Sequence, residues 1–235
     1  MRVLTIVHEE DAGPGVFSSA LAAAGAEVET WLEAAQARPP VAAGSCDAII
    51  SLGGSAHPHQ EDRHPWLAAE KRFLAGALAN AIPLLGICLG SELIAEVAGA
   101  QTRHLQHPEI GWYEVSLTDQ GRADPLLGAI GGSFEALEWH SYAVDLPAGA
   151  TALAHSSSCL QAYRLGSSAW GLQFHAEVTD EDFQHWLDNY TIDDDAVRER
   201  IDPHAIASDT AGRMAGWHEL GEGICARFLA TASAG

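Results

Sequence analysis

The chain has 235 residues, a length that fits one compact α/β domain with a sizeable core. Twelve Lys and Arg against 32 Asp and Glu give a formal charge of −20, and Lys71 is the single lysine. A Walker phosphate loop needs Gly-Lys-Ser/Thr whereas Lys71 sits in AAEKRF, so P-loop chemistry is excluded, and a chain this acidic repels nucleic-acid backbones and anionic lipid.

No apolar stretch has the length of a membrane span, and MRVLTIVHEE lacks the h-region of a secretory signal, so a cytoplasmic location is expected. Cys46, Cys88, Cys159 and Cys225 are widely spaced with no CxxC. Neither a metal site nor a disulfide framework is expected, and no cofactor.

In chain order, RVLTIV (2–7) reads as a buried parallel strand, followed by a helix carrying Val16, Phe17, Ala20 and Leu21 on one stripe. DAIISLGG (47–54) is a second strand, Trp66 to Ala79 a helix through Leu67, Leu74 and Leu78, IPLLGIC (82–88) a third strand, and SELIAEVAGA a short helix. This alternation predicts a flavodoxin-like open parallel sheet with helices on both faces. From about residue 108, EIGWYEVSLT, SFEALEWH, TALAHSS, LQAYRLG and SAWGLQFH read as consecutive strands, predicting antiparallel pairs. From Thr179 the pattern is helical again, giving a C-terminal extension over about 180–235 within one domain (1–235), with Trp217, Leu220, Ile224 and Phe228 facing inward. The acidic run 193–195 reads as a solvated helix start.

The densest chemical signal is LLGICLGSELIAEVAG, an apolar strand running through Gly86-Ile87-Cys88-Leu89-Gly90 straight into a helix. That is the form of a nucleophile elbow, where a tight turn strains the central residue and glycines two before and two after remove clashing side chains. Cys88 then stands at a helix N-terminus, whose partial positive charge favours thiolate over thiol. Cys46 and Cys225 read as buried structural cysteines. A thiolate needs a base and the base an orienting group. On a strand, Trp170 to Glu177 would put Gln173, His175 and Glu177 on one face, with His175 and Glu177 about 6.6 Å apart at Cα.

With these motifs the chain resembles the class I glutamine amidotransferases, in the stand-alone branch similar to GMP-synthase glutaminases. GICLG matches the family's nucleophile motif and GLQFHAE its QFHPE motif, which implies a Cys88-His175-Glu177 triad. SLGGSAHP (51–58) resembles the GGP-type loop, implying Gly54 with Leu89 as backbone oxyanion donors and Gly53 as the residue allowing close approach to substrate. The resemblance extends over EIGWYEVSLT, EWHSYAVDLPAGATALAHSSSCLQAYRLG and AGWHELGEGICARFL. It implies an amidohydrolase that cleaves the side-chain amide of glutamine or a related γ-glutamyl compound through a γ-glutamyl thioester, with a separate ammonia-accepting synthetase as possible partner. A γ-glutamyl peptidase is one alternative and a non-catalytic interaction subunit the other.

Three positions depart from the family pattern. Glu92 replaces the usual Gln that binds substrate, Ala176 replaces Pro and loosens the backbone between His175 and Glu177, and His140-Ser141-Tyr142 mixes features of two branches, leaving Ser141 and Tyr142 as candidate substrate contacts. His57 and His59, and likewise His104 and His107, read as solvated loop residues, and Trp139 as core. Because nearby carboxylates resist thiolate formation, the acids other than Glu92 are expected to lie away from the elbow.

Overall fold

A computed structural model describes residues 1–9, 12–33, 36 and 38–233; Ala234 and Gly235, at the end of the expected helical extension, fall outside the described residues. The elements run β1 (Arg2–Val7), α1 (Phe17–Ala23), β2 (Glu27–Leu32), β3 (Ala48–Ser51), α2 (Trp66–Ala79), β4 (Leu84–Ile87), α3 (Leu89–Val97), β5 (Thr102–Leu117), α4 (Asp119–Arg122) and β6 (Ser133–Val144). They continue as β7 (Ala150–His155), β8 (Leu160–Leu165), β9 (Ala169–Leu172), α5 (Asp180–Asn189), α6 (Asp194–Glu199), α7 (Pro203–Thr210) and α8 (Met214–Ser233).

Among the described residues nine strands form one sheet in the order β2-β1-β3-β4-β9-β8-β7-β5-β6. The half from β2 to β9 is parallel and the half from β9 to β6 antiparallel, so the expected parallel and antiparallel segments are two ends of one mixed sheet. The central strands are apolar because both faces are covered: β1, β3, β4 and β9 are buried almost throughout. One face packs on α1 and α8 through Phe17, Leu21, Ile224 and Phe228. The other packs on α2 and α3 through Leu67, Leu74, Leu93 and Ile94.

β2 escapes the sequence reading because it is an edge strand whose first four residues are exposed, leaving only Trp31 fully buried. β5 starts six residues before the expected 108, at Thr102, and its pairing with β6 shifts register between His104 and Glu109, which breaks the alternation that a strand reading uses. β9 stops at Leu172, so the expected strand through Glu177 is a correction. Beyond it Gln173 N–H still pairs with Gln161 O at 2.8 Å, and His175 N–H turns to Leu137 O at 3.0 Å.

The parallel strands point their C-terminal ends the same way. Residues just past β1, β3, β4 and β9 therefore gather at one edge, where open α/β sheets place their ligands.

Candidate active site

Cys88 links β4 to α3 with φ 48° and ψ −111°, a left-handed backbone that a non-glycine residue occupies only under constraint. The constraint is visible on both sides. Cys88 N–H donates to Leu172 O at 2.8 Å and Gly90 N–H to Leu52 O at 3.1 Å. A methyl group on Gly86 would stand 2.6 Å from the Gly90 carbonyl carbon, and one on Gly90 would stand 2.2 Å from Ser51 O. The two glycines are thus the price of seating α3 directly against β3 and β4.

His175 and Glu177 follow β9. The Nδ1–H of His175 donates to Glu177 Oε1 at 2.8 Å, and the imidazole also lies within side-chain hydrogen-bond reach of Cys88. Burial lowers the His175 pKa, but the charges of Glu177 and Cys88 outweigh it, so the imidazole sits well above its ordinary value and favours its cationic form. The backbone here is held firmly despite the missing proline: Ala176 is fully buried, Trp217 Nε1 donates to His175 O at 2.9 Å, and Val16 N–H to Glu177 O at 2.8 Å. Trp186 of α5 closes edge-on against the His175 ring, with centroids 4.8 Å apart.

The loop after β3 comes in beside this pair. A methyl group on Gly53 would meet His175 Cε1 at 2.7 Å and Cys88 Cβ at 3.6 Å. Only glycine therefore fits against the two side chains. Leu89 is the first residue of α3, so its N–H has no intrahelical acceptor.

Glu92, in the first turn of α3, is buried and accepts from Gln173 Nε2 at 3.1 Å. Burial pushes it up to about 7. Beyond it lies a second buried group that sequence reasoning did not assemble. His140 Nδ1–H donates to Tyr142 O at 2.8 Å, and its Nε2 stands 3.1 Å from Glu109 Oε2 and 3.2 Å from Glu138 Oε2. Gln161 Nε2 donates to Glu109 Oε2 at 2.7 Å, and the Cys159 thiol is 3.6 Å from the same oxygen. Glu109, His140 and Cys159 hold potential metal-ligand atoms within 4.8 Å of one another, already hydrogen-bonded among themselves.

The charge of His175 is felt at Glu138, and that of Cys88 at His140. The local charge stays near balance all the same. Burial raises Glu138, and although burial also works against charge on His140, its two carboxylate partners push it up to about 10, making it a buried cation.

The outer rim is aromatic. His59 and His104 are exposed as expected and His57 is half-buried, and the three stand around the Tyr142 ring with centroids 5.2, 5.0 and 4.2 Å away. His107 does remain exposed, 3.4 Å from Glu199. Trp139 is partly buried, packs on Trp186 and donates from Nε1 to Asp193 Oδ2 at 2.9 Å. Asp193 caps α6 as expected of a helix start, but Asp195 is buried rather than solvated, bonded to His104 and to the Ser141 hydroxyl. Cys46 and Cys225 are buried away from these groups, and burial alone pushes the Cys225 thiol up to about 12.

The family model described as glutamine amidotransferase class-I matches residues 16–193, a span that contains the elbow, the glycine loop and the His175-Glu177 segment. The chain belongs to the class I glutamine amidotransferases. Among curated relatives, this family member is 32% identical over 187 residues to the glutamine amidotransferase-like protein YfeJ of Salmonella typhimurium, covering 77% of each chain. It is 39% identical over 100 residues to a glutamine-hydrolyzing GMP synthase subunit of Sulfolobus acidocaldarius, covering 41% of this chain and 52% of that one. It is 26% identical over 145 residues to a γ-glutamyl-L-1-hydroxyisopropylamide hydrolase of a Pseudomonas species, covering 58% of this chain and 48% of that one. A crystal structure of a glutamine amidotransferase from Thermotoga maritima superposes with a TM-score of 0.86 at 26% identity, covering 97% of this chain and 98% of that one. Among the described residues no helix is long and apolar enough to cross a membrane.

Proposed function

We propose that the protein is a cysteine-dependent amidohydrolase that cleaves the side-chain amide of glutamine or a related γ-glutamyl compound. The observation that carries this reading is the strained Cys88 elbow facing a His175 imidazole whose far nitrogen is held by Glu177. The Cys88 thiolate attacks the amide carbon and a tetrahedral oxyanion forms. His175, as the imidazolium, gives its proton to the departing ammonia or amine, the C–N bond breaks, and a γ-glutamyl thioester remains. Water then attacks the thioester with His175 taking its proton, and glutamate leaves with the thiolate restored. The N–H groups of Leu89 and Gly54 receive the oxyanion, and Gly53 gives the substrate its close approach.

Glu92, Ser141 and Tyr142 are the substrate contacts on this reading, with Glu92 placed to meet the α-ammonium of the γ-glutamyl group. The whole chain acts as one catalytic unit, with Trp186 of α5 packed against His175. It works in the cytoplasm and requires no metal or cofactor. A larger leaving group is the second reading: the aromatic rim of His57, His59, His104 and Tyr142 borders the site, and one relative is named for hydrolysis of a γ-glutamyl amide. Delivery of ammonia to a separate synthetase is the further option raised by the likeness to the glutamine-hydrolyzing GMP synthase subunit.

The deciding experiment offers purified protein glutamine, γ-glutamyl dipeptides and γ-glutamyl amines and measures release of ammonia or amine. Turnover of at least one class, lost in Cys88→Ala and in His175→Ala, is the expected result. Unchanged turnover in those variants refutes the reading.

A further inference from the structure

A third buried histidine stands behind the glycine loop, at the end of β1. His8 is 3% exposed, its Nδ1 is 2.9 Å from Gly53 O, and its Nε2 is 2.9 Å from Glu70 Oε2. A carbonyl oxygen can only accept, so Nδ1 carries a proton and donates to it. Glu70 in turn accepts from Ser51 Oγ at 2.7 Å, and Trp66 stacks on the imidazole with centroids 5.1 Å apart. β1, β3 and α2 are thereby tied to one peptide oxygen. Glu70 is itself fully buried on the inner stripe of α2.

The consequence lies in the geometry of a single peptide unit. In a trans peptide the carbonyl of one residue and the N–H of the next point in opposite directions. His8 draws the Gly53 carbonyl toward β1 and α2, so the Gly54 N–H points the other way. The Gly53 α-carbon faces His175 and Cys88, whereas a methyl group on Gly54 would meet His8 Cβ at 2.8 Å. A loop containing two adjacent glycines has little steric resistance to turning this peptide over. The hydrogen bond to His8 is what selects one of the two orientations.

We infer that His8, backed by Glu70, is a positioning residue that fixes the Gly53-Gly54 peptide with its N–H presented to the oxyanion formed at Cys88. This rests on the amidohydrolase reading above. It assigns to a residue outside the Cys-His-Glu triad the pre-organisation on which electrostatic stabilisation of the tetrahedral intermediate depends.

The test measures kcat and KM with glutamine and γ-glutamyl-p-nitroanilide for wild type, His8→Leu, His8→Asn and Glu70→Gln. Beside them runs the alkylation rate of Cys88 by iodoacetamide, a displacement at saturated carbon that forms no oxyanion. In His8→Leu, kcat should fall about 10²- to 10³-fold, the usual cost of one oxyanion donor, with KM and alkylation nearly unchanged. His8→Asn, whose amide nitrogen falls near the place of Nδ1, should recover most of that loss. Glu70→Gln keeps the packing but weakens the anchor and should lose about five- to tenfold in kcat; it carries the test should His8→Leu fail to fold. Full kcat in a folded His8→Leu, matching losses of kcat and alkylation, or undiminished kcat in Glu70→Gln beside an unfolded His8→Leu would overturn the inference. A wild type that hydrolyses neither probe and forms no acyl adduct fails the proposed function, and this inference with it; an active wild type with an active His8→Leu overturns the role of His8 alone.

Discussion

His175 Nδ1 stands 2.8 Å from Glu177 Oε1 although neither residue lies on a strand. Two residues of alternation would have placed them side by side, but here bends pinned by α1 and α8 do so instead. Because Nδ1 is committed to the carboxylate, Nε2 is the nitrogen left to exchange protons with the sulfur of Cys88. Glu177→Gln removes the charge that holds His175 cationic. kcat should fall about 10²- to 10⁴-fold with little change in KM, and the basic limb of the pH profile should move to lower pH. A steady-state pH series on the two proteins checks this.

Glu92 titrates at about 7, raised by burial, so its charge varies across the neutral range. As the partner of the substrate ammonium it works only when ionised. KM for a γ-glutamyl substrate should therefore improve by up to about tenfold from pH 6 to pH 8, following the ionised fraction. Glu92→Gln should flatten this dependence and shift preference toward glutamine. KM measured at several pH values with glutamine and a γ-glutamyl dipeptide gives the answer.

Behind the site, Glu33 is buried with neither carboxylate oxygen hydrogen-bonded among the described residues. Burial first, and the charge of Glu70 second, push it up to about 8. An acid raised on folding favours the folded state fully below its unfolded pKa near 4.5, and that contribution is lost as pH rises through about 8. Glu33→Gln should thus match wild-type stability near pH 5 within about 1 kcal/mol, and exceed it near pH 9 by roughly 2–4 kcal/mol. Urea denaturation at the two pH values measures the difference.

Gly90 and Gly76 predict opposite outcomes for the same substitution. A methyl group on Gly90 would lie 2.2 Å from Ser51 O, while one on Gly76 in α2 meets nothing within 4 Å. Gly90→Ala should cost about 3 kcal/mol or more and abolish activity by lifting α3 from β3. Gly76→Ala should gain about 0.5–1 kcal/mol through helix propensity. Thermal denaturation with paired activity assays compares them.

The elbow and the His175-Glu177 segment were readable because their residue types are locally constrained: glycines two on either side of Cys88, and a short run whose partners lie two apart. The half-parallel, half-antiparallel sheet followed from alternating strands and helices giving way to consecutive strands. That both halves join in one sheet through β9 did not, because strand pairing between distant segments leaves no local periodicity. His8, Glu70 and the Glu109-His140-Cys159 cluster were missed for a similar reason, since β1, α2, β5, β6 and β8 bring them together. A signal was available for one of them. Glu70 sits among Leu67, Phe73, Leu74 and Ala77 on the buried stripe of α2, and a carboxylate on such a stripe needs a buried partner. Likewise only the fold brings Tyr142 between His57, His59 and His104.

The central claim is that Cys88 becomes acylated, and intact-mass spectrometry of protein quenched in acid during turnover tests it most directly. A covalent gain of one glutamyl group on Cys88, seen with glutamine or a γ-glutamyl amide, accumulating when hydrolysis is slowed and absent in Cys88→Ala, is the predicted result. Turnover with no acyl adduct at Cys88 under any quench time, or an adduct that persists in Cys88→Ala, would contradict the account.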